Sequence, residues 1–195
     1  AHDLTPEHQS LEYKSNDSCF ISKHATIGSN IKLGRNVVIH GNTEIGNNVS
    51  IGSNSVIGSP GFGVVSNIKT NQKMISSHIG GVKISDNVTV GANSCIDAGM
   101  INYTWIEENV MIDNLVHVAH NVVIKSNAII TAGTVLCGGA VVKSSAWLAP
   151  NSVVLQRVVV GEGSIVGAGS VARKSLPEAS TIYGNPMVRL DKKKS

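Results

Sequence analysis

Two histidines three residues apart stand in the run Ile112-Asp113-Asn114-Leu115-Val116-His117-Val118-Ala119-His120-Asn121-Val122. Imidazole is the side chain whose ordinary titration range suits proton transfer near neutrality. A proton acceptor that activates a nucleophile needs a second group to hold the negative charge that develops. A glycine leaves its backbone N–H uncovered and can hold an oxyanion. Gly138, in Cys137-Gly138-Gly139, follows His120 by eighteen residues. His120 as general base and Gly138 as oxyanion donor would suit a reaction that passes through an oxyanion, provided the chain brings residues eighteen apart to one place. Without that juxtaposition, His120 is a surface histidine with no role.

An internal repeat supplies the juxtaposition. Aliphatic residues recur every six positions: Ile21 to Ile57, then Ile84, Val90 and Ile96, then Ile106 to Val166, twenty-one units in all. Gly follows many of them directly, and a small or β-branched residue sits four positions on, as at Val37, Thr43, Val116 and Thr134. Internal self-similarity at a fixed period is the sequence signature of a repeat architecture. Six residues make a short strand plus a corner, and three units return the chain to its start. Coils of eighteen residues then stack at the spacing of paired strands, ~4.8 Å. Aliphatics fill a narrow prism, and Gly and Asn (Asn30, Asn36, Asn47, Asn48, Asn54, Asn87) suit its corners. The expected fold is all-β, a parallel β-helix of about seven coils over residues 21–171. Residues 1–20 form an N-terminal segment and residues 172–195 a C-terminal extension broken by Pro177 and Pro186.

Composition agrees. Of 195 residues, 42% are apolar, 15% charged and only 4% aromatic, with 20 glycines. That excludes a disordered chain, which would be polar and highly charged. Large aromatic anchors have no room in a thin prism. No apolar run approaches the ~20 residues of a membrane helix. Net charge is +3, and no basic stripe with interleaved aromatics marks a nucleic-acid surface. Cys19, Cys95 and Cys137 are widely spaced, with no Cys-x-x-Cys, as expected of reduced thiols in a cytoplasmic protein.

Coil arithmetic names the neighbours of His120. One coil onward is Gly138, then Gln156, then Lys174. One coil earlier, allowing for four extra residues between Ile96 and Ile106, is Asp97-Ala98-Gly99. The insertion, roughly Asn102 and Tyr103, therefore emerges beside His120. A longer interruption, residues 59–83, is extruded as a loop and carries Phe62 between two glycines. An aromatic there suits stacking on a base or sugar. Its one histidine, His78, reads as a surface residue. Arg157, Arg173, Lys174 and Arg189 would meet the phosphates of a cofactor lying along this edge, unless they are simply a solvated charged face. His117 suits acceptor binding or plain exposure about equally. Asp113 or Asp97 could orient the base. Cys137 reads as a packing residue.

The motif Ile112 to Ile124 resembles the signature of the UDP-3-O-acylglucosamine N-acyltransferases, hexapeptide-repeat enzymes of lipid A synthesis. Ile57-Gly58-Ser59-Pro60-Gly61-Phe62-Gly63 and Ile96-Asp97-Ala98-Gly99 are similar to that family too. The run Gly167-Ala168-Gly169-Ser170-Val171 through Tyr183-Gly184-Asn185-Pro186 resembles instead acetyl-CoA-dependent sugar acetyltransferases. The resemblance implies a left-handed coil, although general crossover chirality favours the other hand. It implies His120 as catalytic base, Gly138 as oxyanion donor and a homotrimer. At Asn121 some relatives carry an acid that orients the base, so that partner is not evident in this sequence. The expected activity is transfer of an acyl group, acetyl in the leading reading, from acetyl-CoA or another acyl-CoA to the amine of a nucleotide-linked amino sugar, with no metal. Alternatives are O-acetylation and an acyl-carrier-protein donor. Two further readings stand lower. A γ-class carbonic anhydrase has a wider histidine pair, and a hexapeptide scaffold has no activity.

Overall fold

The computed structural model describes residues 13–16, 18–184 and 188–189, with side chains for 18–184. Among them every regular element is a strand, mostly of two residues, and no helix is long and apolar enough to cross a membrane. All the strands but two lie in three sheets that form the faces of a prism, of nine, seven and nine strands. Face A runs from Cys19–Ser22 through Val38–Ile39, Val56–Pro60, Cys95–Ala98, His117–Val118 and Val135–Leu136 to Val171–Ala172. Face B includes Thr43–Ile45, Gly81–Ile84, Tyr103–Ile106 and Val123–Ile124, and face C includes Ser50–Ile51, Thr89–Val90, Met111–Ile112 and Ile129–Ile130. The chain visits A, B and C in turn, and it is a left-handed parallel β-helix. The strands Tyr13–Asn16 and Val188–Arg189 pair antiparallel at the two ends. Setting those aside leaves eight, seven and eight parallel strands on the three faces, slightly more than seven coils.

The six-residue period has a backbone cause. Almost every third residue after an inward aliphatic has positive φ, as at Asn30 (55°), Asn48 (57°), Asn121 (60°), Asn127 (61°) and Gly169 (64°). One left-handed residue turns each corner, and Asn and Gly take that conformation at the least cost. Leu115, Ser145 and Arg157 also take it, at about 1–2 kcal/mol each. Asn47 is not among them: its carboxamide oxygen accepts from Ser29 N–H at 2.9 Å, part of a ladder between coils. A second ladder links Asn30, Asn48 and Asn87.

Coils are joined at the predicted interval. His117 pairs with Val135 and Val118 with Leu136, eighteen residues on, whereas Ile96 pairs with Val118 across the four-residue insertion. Ile39, Ile57, Ile96, Ile112, Leu136 and Leu148 are fully buried, and so are the small residues four positions after an aliphatic, such as Val37, Ser55, Thr134 and Ser164. Burying each large aliphatic is worth about 1.5–3 kcal/mol. Trp105, Trp147, Phe20, Phe62, Tyr103 and Tyr183 all stand outside. Ile21, Ile27 and Leu33 are only partly buried.

Two boundaries differ from the period-based expectation. Thr181–Tyr183 still pairs in register with Ile165–Val166, so the prism runs on into the stretch read as a C-terminal extension. The aliphatic period breaks after Val166, yet Leu176 and Ile182 remain buried. The segment read as a plain loop contains an antiparallel hairpin, Val64–Ser66 with Lys73–Ile75. Face A strand Val56–Pro60 leads into this excursion and face B strand Gly81–Ile84 follows it; Cys95–Ala98 and Tyr103–Ile106 bracket the shorter insertion likewise. Both excursions leave the prism at the edge where face A turns into face B.

Candidate active site

His120 lies on that same edge, between His117–Val118 of face A and Val123–Ile124 of face B. It is half-buried. Its Nδ1 stands 3.1 Å from Asn121 Oδ1. Met100 N–H donates to that same oxygen at 3.0 Å, which fixes it as an acceptor. His120 Nδ1 must therefore carry the proton, leaving Nε2 of the neutral ring with a free lone pair. Asn121 is itself held at the corner by its N–H, which donates to Thr104 Oγ1 at 2.8 Å. The residue at which no orienting partner was evident is the one that orients the ring. Its carboxamide does what a carboxylate would do, without the charge.

Gly138 stacks directly over this imidazole. A Cβ at Gly138 would stand 2.6 Å from His120 Nε2 and 2.7 Å from Cε1, so only glycine admits the ring in this position. Gly139 N–H donates to the His120 carbonyl at 2.9 Å and the Gly138 carbonyl accepts from Arg157 N–H at 3.1 Å. The Gly138 N–H has no acceptor among the described residues. A free imidazole nitrogen and a free amide thus share one edge.

They line a cleft of about 560 Å³. Phe62, Asp97, His117, Gln156 and Arg173 line it too. Val135, Cys137 and Leu155 supply an apolar wall that sequence reasoning did not assign. Phe62 is 78% exposed. Burial pushes the Cys137 thiol up, so it stays a protonated packing group.

Asp97 is the buried carboxylate of the cleft. Gly58, at φ +84°, is the extra residue of a bulge that sets Ser59 opposite Asp97. Ser59 Oγ donates to Asp97 Oδ1 at 3.1 Å, and His117 Nε2 stands 3.7 Å from Oδ2. Burial raises the Asp97 carboxyl above its ordinary range, against the downward pulls of His117, the Ser59 hydrogen bond, His120 and His78.

Other candidates stand elsewhere. The Asp113 carboxylate accepts from Asn114 N–H and Nδ2, both at 2.7 Å, at the corner between faces C and A, away from His120. Tyr103 Oη donates to Glu44 at 2.7 Å on face B. Asn102 is exposed, and it is Met100, two residues before it, that reaches the His120–Asn121 pair. Arg157 and Lys174 are exposed and do not line the cleft. The Arg189 side chain lies outside the described residues. No group of three or more His, Cys, Asp or Glu among the described residues is placed to hold a metal ion.

The description "bacterial transferase hexapeptide (six repeats)" matches residues 17–59, 103–138 and 139–174, well over half of the chain. The chain belongs to this hexapeptide family. Over 46 residues it is 65% identical to the UDP-3-O-acylglucosamine N-acyltransferase of Caulobacter vibrioides, a match covering 24% of this chain and 14% of that protein. Over 66 residues it is 48% identical to the enzyme of the same name from Syntrophus aciditrophicus, covering 34% and 18%. The chain thus spans less than a fifth of the length of these curated relatives. A crystal structure of UDP-N-acetylglucosamine acyltransferase overlays with a TM-score of 0.78 at 22% identity, covering 90% of this chain and 73% of that one. A related structure from Acinetobacter baumannii gives 0.68 at 18% identity, covering 90% and 72%. At such identities the likeness is one of fold.

Proposed function

We propose that this hexapeptide protein is an acyltransferase that moves an acyl group, acetyl first among them, from a CoA thioester to the amine of a nucleotide-linked amino sugar. One observation carries the reading: His120 Nε2, its tautomer fixed by Asn121, packs against Gly138, whose N–H has no acceptor among the described residues, in the wall of a cleft. The amine nitrogen attacks the thioester carbonyl while His120 Nε2 takes its proton. The carbonyl oxygen becomes an oxyanion and accepts from Gly138 N–H. The C–S bond then breaks, and the departing thiolate takes the proton back from the imidazolium. The products are an amide and a free thiol, and the enzyme returns to its starting state with no covalent intermediate.

The acceptor would lie against Asp97, His117 and Phe62. The donor would run past Gln156 toward Arg173, with Arg157 and Lys174 reaching its phosphates from the exposed rim. The names of the relatives, N-acyltransferases of a UDP-linked glucosamine, support the acceptor class. A convex edge encloses a substrate only with a second wall, which a homotrimer would supply. A soluble cytoplasmic enzyme suits such substrates.

The test is incubation with acetyl-CoA and a panel of UDP- and dTDP-linked amino sugars, following thiol release. Acyl-carrier-protein thioesters and sugars bearing hydroxyl groups alone run in parallel. Release that needs both the CoA thioester and an amino sugar, and that disappears in His120→Ala, is the expected result. Release only from acyl-carrier protein, or only with hydroxyl acceptors, transfers the reading to those alternatives. No release with any pair overturns it. Sedimentation as a monomer at micromolar concentration would remove the trimer.

A further inference from the structure

The turn that returns the extruded hairpin to the prism carries a third imidazole. His78 meets His120 edge-on, with ring centroids 5.2 Å apart and planes at 67°. Its Nδ1 lies 3.0 Å from the Ser76 carbonyl and so donates to it. Ser76 is fixed in turn, its N–H and Oγ both donating to the Gly63 carbonyl at 2.7 and 3.0 Å. His78 Nε2 is buried with no partner among the described residues. A buried acceptor left unpaired is a cost to the fold, so this ring sits where it does against its own polar preference.

The neighbouring chain makes room for it. A Cβ at Gly61 would stand 2.9 Å from His78 Nε2 and 3.0 Å from His120 Cβ, and one at Gly63 would strike Ser76 Oγ and stand 3.2 Å from His78 Cε1. The residues that follow His78 are tied to the insertion beside the base. Ile79 N–H donates to the Met100 carbonyl at 2.9 Å and Gly80 N–H to the Gly99 carbonyl at 3.1 Å. Met100 N–H caps the Asn121 oxygen that holds His120 Nδ1. The excursion thus reaches the base twice, through the His78 ring and through Met100 and Asn121.

We propose that His78 is a positioning residue: its ring blocks rotation of the His120 imidazole and keeps Nε2 over Gly138. It touches no reacting atom. The proposal rests on His120 being the base, so the decisive measurement reads the ring and not turnover. In ¹⁵N-labelled protein, a long-range imidazole spectrum reports the tautomer of each histidine. Wild type should show His120 as a single Nδ1–H form. His78→Ala should show a mixture of tautomers while melting cooperatively. Gly63→Ala strikes Ser76 Oγ, which fixes the turn carrying His78, and so moves the His78 ring instead of deleting it; it should shift the His120 signals in the same direction.

In turnover, His78→Ala should lower kcat about ten- to a hundredfold, the scale of a base misplaced by an ångström, with both KM values within about twofold. If no acyl transfer is found for any variant, the proposed activity fails and the spectra still decide the role of His78. A mixed tautomer in wild type overturns the proposal, and so do folded His78→Ala and Gly63→Ala proteins with wild-type His120 signals. A rise confined to the acceptor KM would make His78 a substrate contact instead.

Discussion

Two corners of one coil have the same backbone and opposite chemistry. At the corner from face A to face B, Ala119-His120-Asn121 turns on Asn121 at φ 60°; six residues on, Lys125-Ser126-Asn127 turns on Asn127 at φ 61°. The second corner is saturated. Glu107, from the coil below, accepts from Lys125 Nζ, Ser126 N–H and Ser126 Oγ, and no excursion interrupts this edge on the strands from Tyr103–Ile106 to Met111–Ile112. The first corner keeps two groups unspent, His120 Nε2 and, one coil up, Gly138 N–H, and both excursions emerge there. Uncapped amides occur at other corners too. What sets Gly138 apart is an imidazole lying across it and a cleft in front of it. On the proposed reading, a repeat of this kind makes an active corner by withholding the neighbour's cap and adding walls, without altering the turn.

The largest expected effect breaks the active corner directly. His120→Ala should lower kcat by about 10²–10⁴, the usual contribution of a general base. Stability should hardly change, because the side chain supports no core. Retention of more than about a tenth of wild-type kcat, well outside that range, would place the base elsewhere.

Next comes Gly138→Ala. Gly138 is not among the positive-φ glycines, so alanine meets no backbone strain. Its methyl instead strikes the His120 ring. A base displaced by an ångström loses about 10² in rate, and overpacking costs about 1–3 kcal/mol in stability. A folded variant with wild-type kcat would show that Nε2 need not lie over this backbone.

Phe62→Ala probes the added wall. It should raise the acceptor KM several-fold, on the scale of the ~0.5–1.5 kcal/mol of an aromatic stacking contact, and leave the donor KM unchanged. Equal effects on both would remove the stacking role. The saturated corner provides the converse: Glu107→Ala should leave kcat intact and lower Tm by a few degrees, since a net hydrogen bond is worth about 0.5–1.5 kcal/mol and each kcal/mol moves Tm by about 2–4 °C in a chain of this size. A loss of kcat there would mean the two corners are not independent.

The contrast also explains what could be read in advance. The inward aliphatics and the eighteen-residue neighbours follow from a strict period, so Val118 over Ile96 and Gly138 over His120 were legible. Asn121 sits at the left-handed position of every corner, and its conformational role masks its second role as partner of Nδ1. His78 was not legible, because no period runs through an extruded hairpin and only the fold of the loop returns it to the base. Asp113 was misleading for the opposite reason: it is close to His120 in sequence but belongs to the preceding corner, where it caps Asn114.

The smallest effect expected is on stability, and its sign sharpens the contrast. Glu107 stabilises its corner, whereas Asp97 burdens the active one. Its carboxyl is raised in the folded protein, burial being the largest cause. The folded chain therefore holds a proton that the unfolded chain, with an ordinary carboxyl near ~3.9, has already released. Stability associated with Asp97 is complete below that ordinary value and declines as pH rises through the raised one. Asp97→Asn keeps an acceptor for Ser59 but cannot ionise. Its Tm should match wild type in acid, begin to exceed it as pH rises past the ordinary carboxyl value, and stay above it by a constant margin beyond the raised one. The same variant should raise the acceptor KM, because the ionised carboxylate beside His117 is lost. A Tm that falls at neutral pH would mean that the His117 pair outweighs desolvation. A Tm gain with unchanged KM would leave the buried charge without a use.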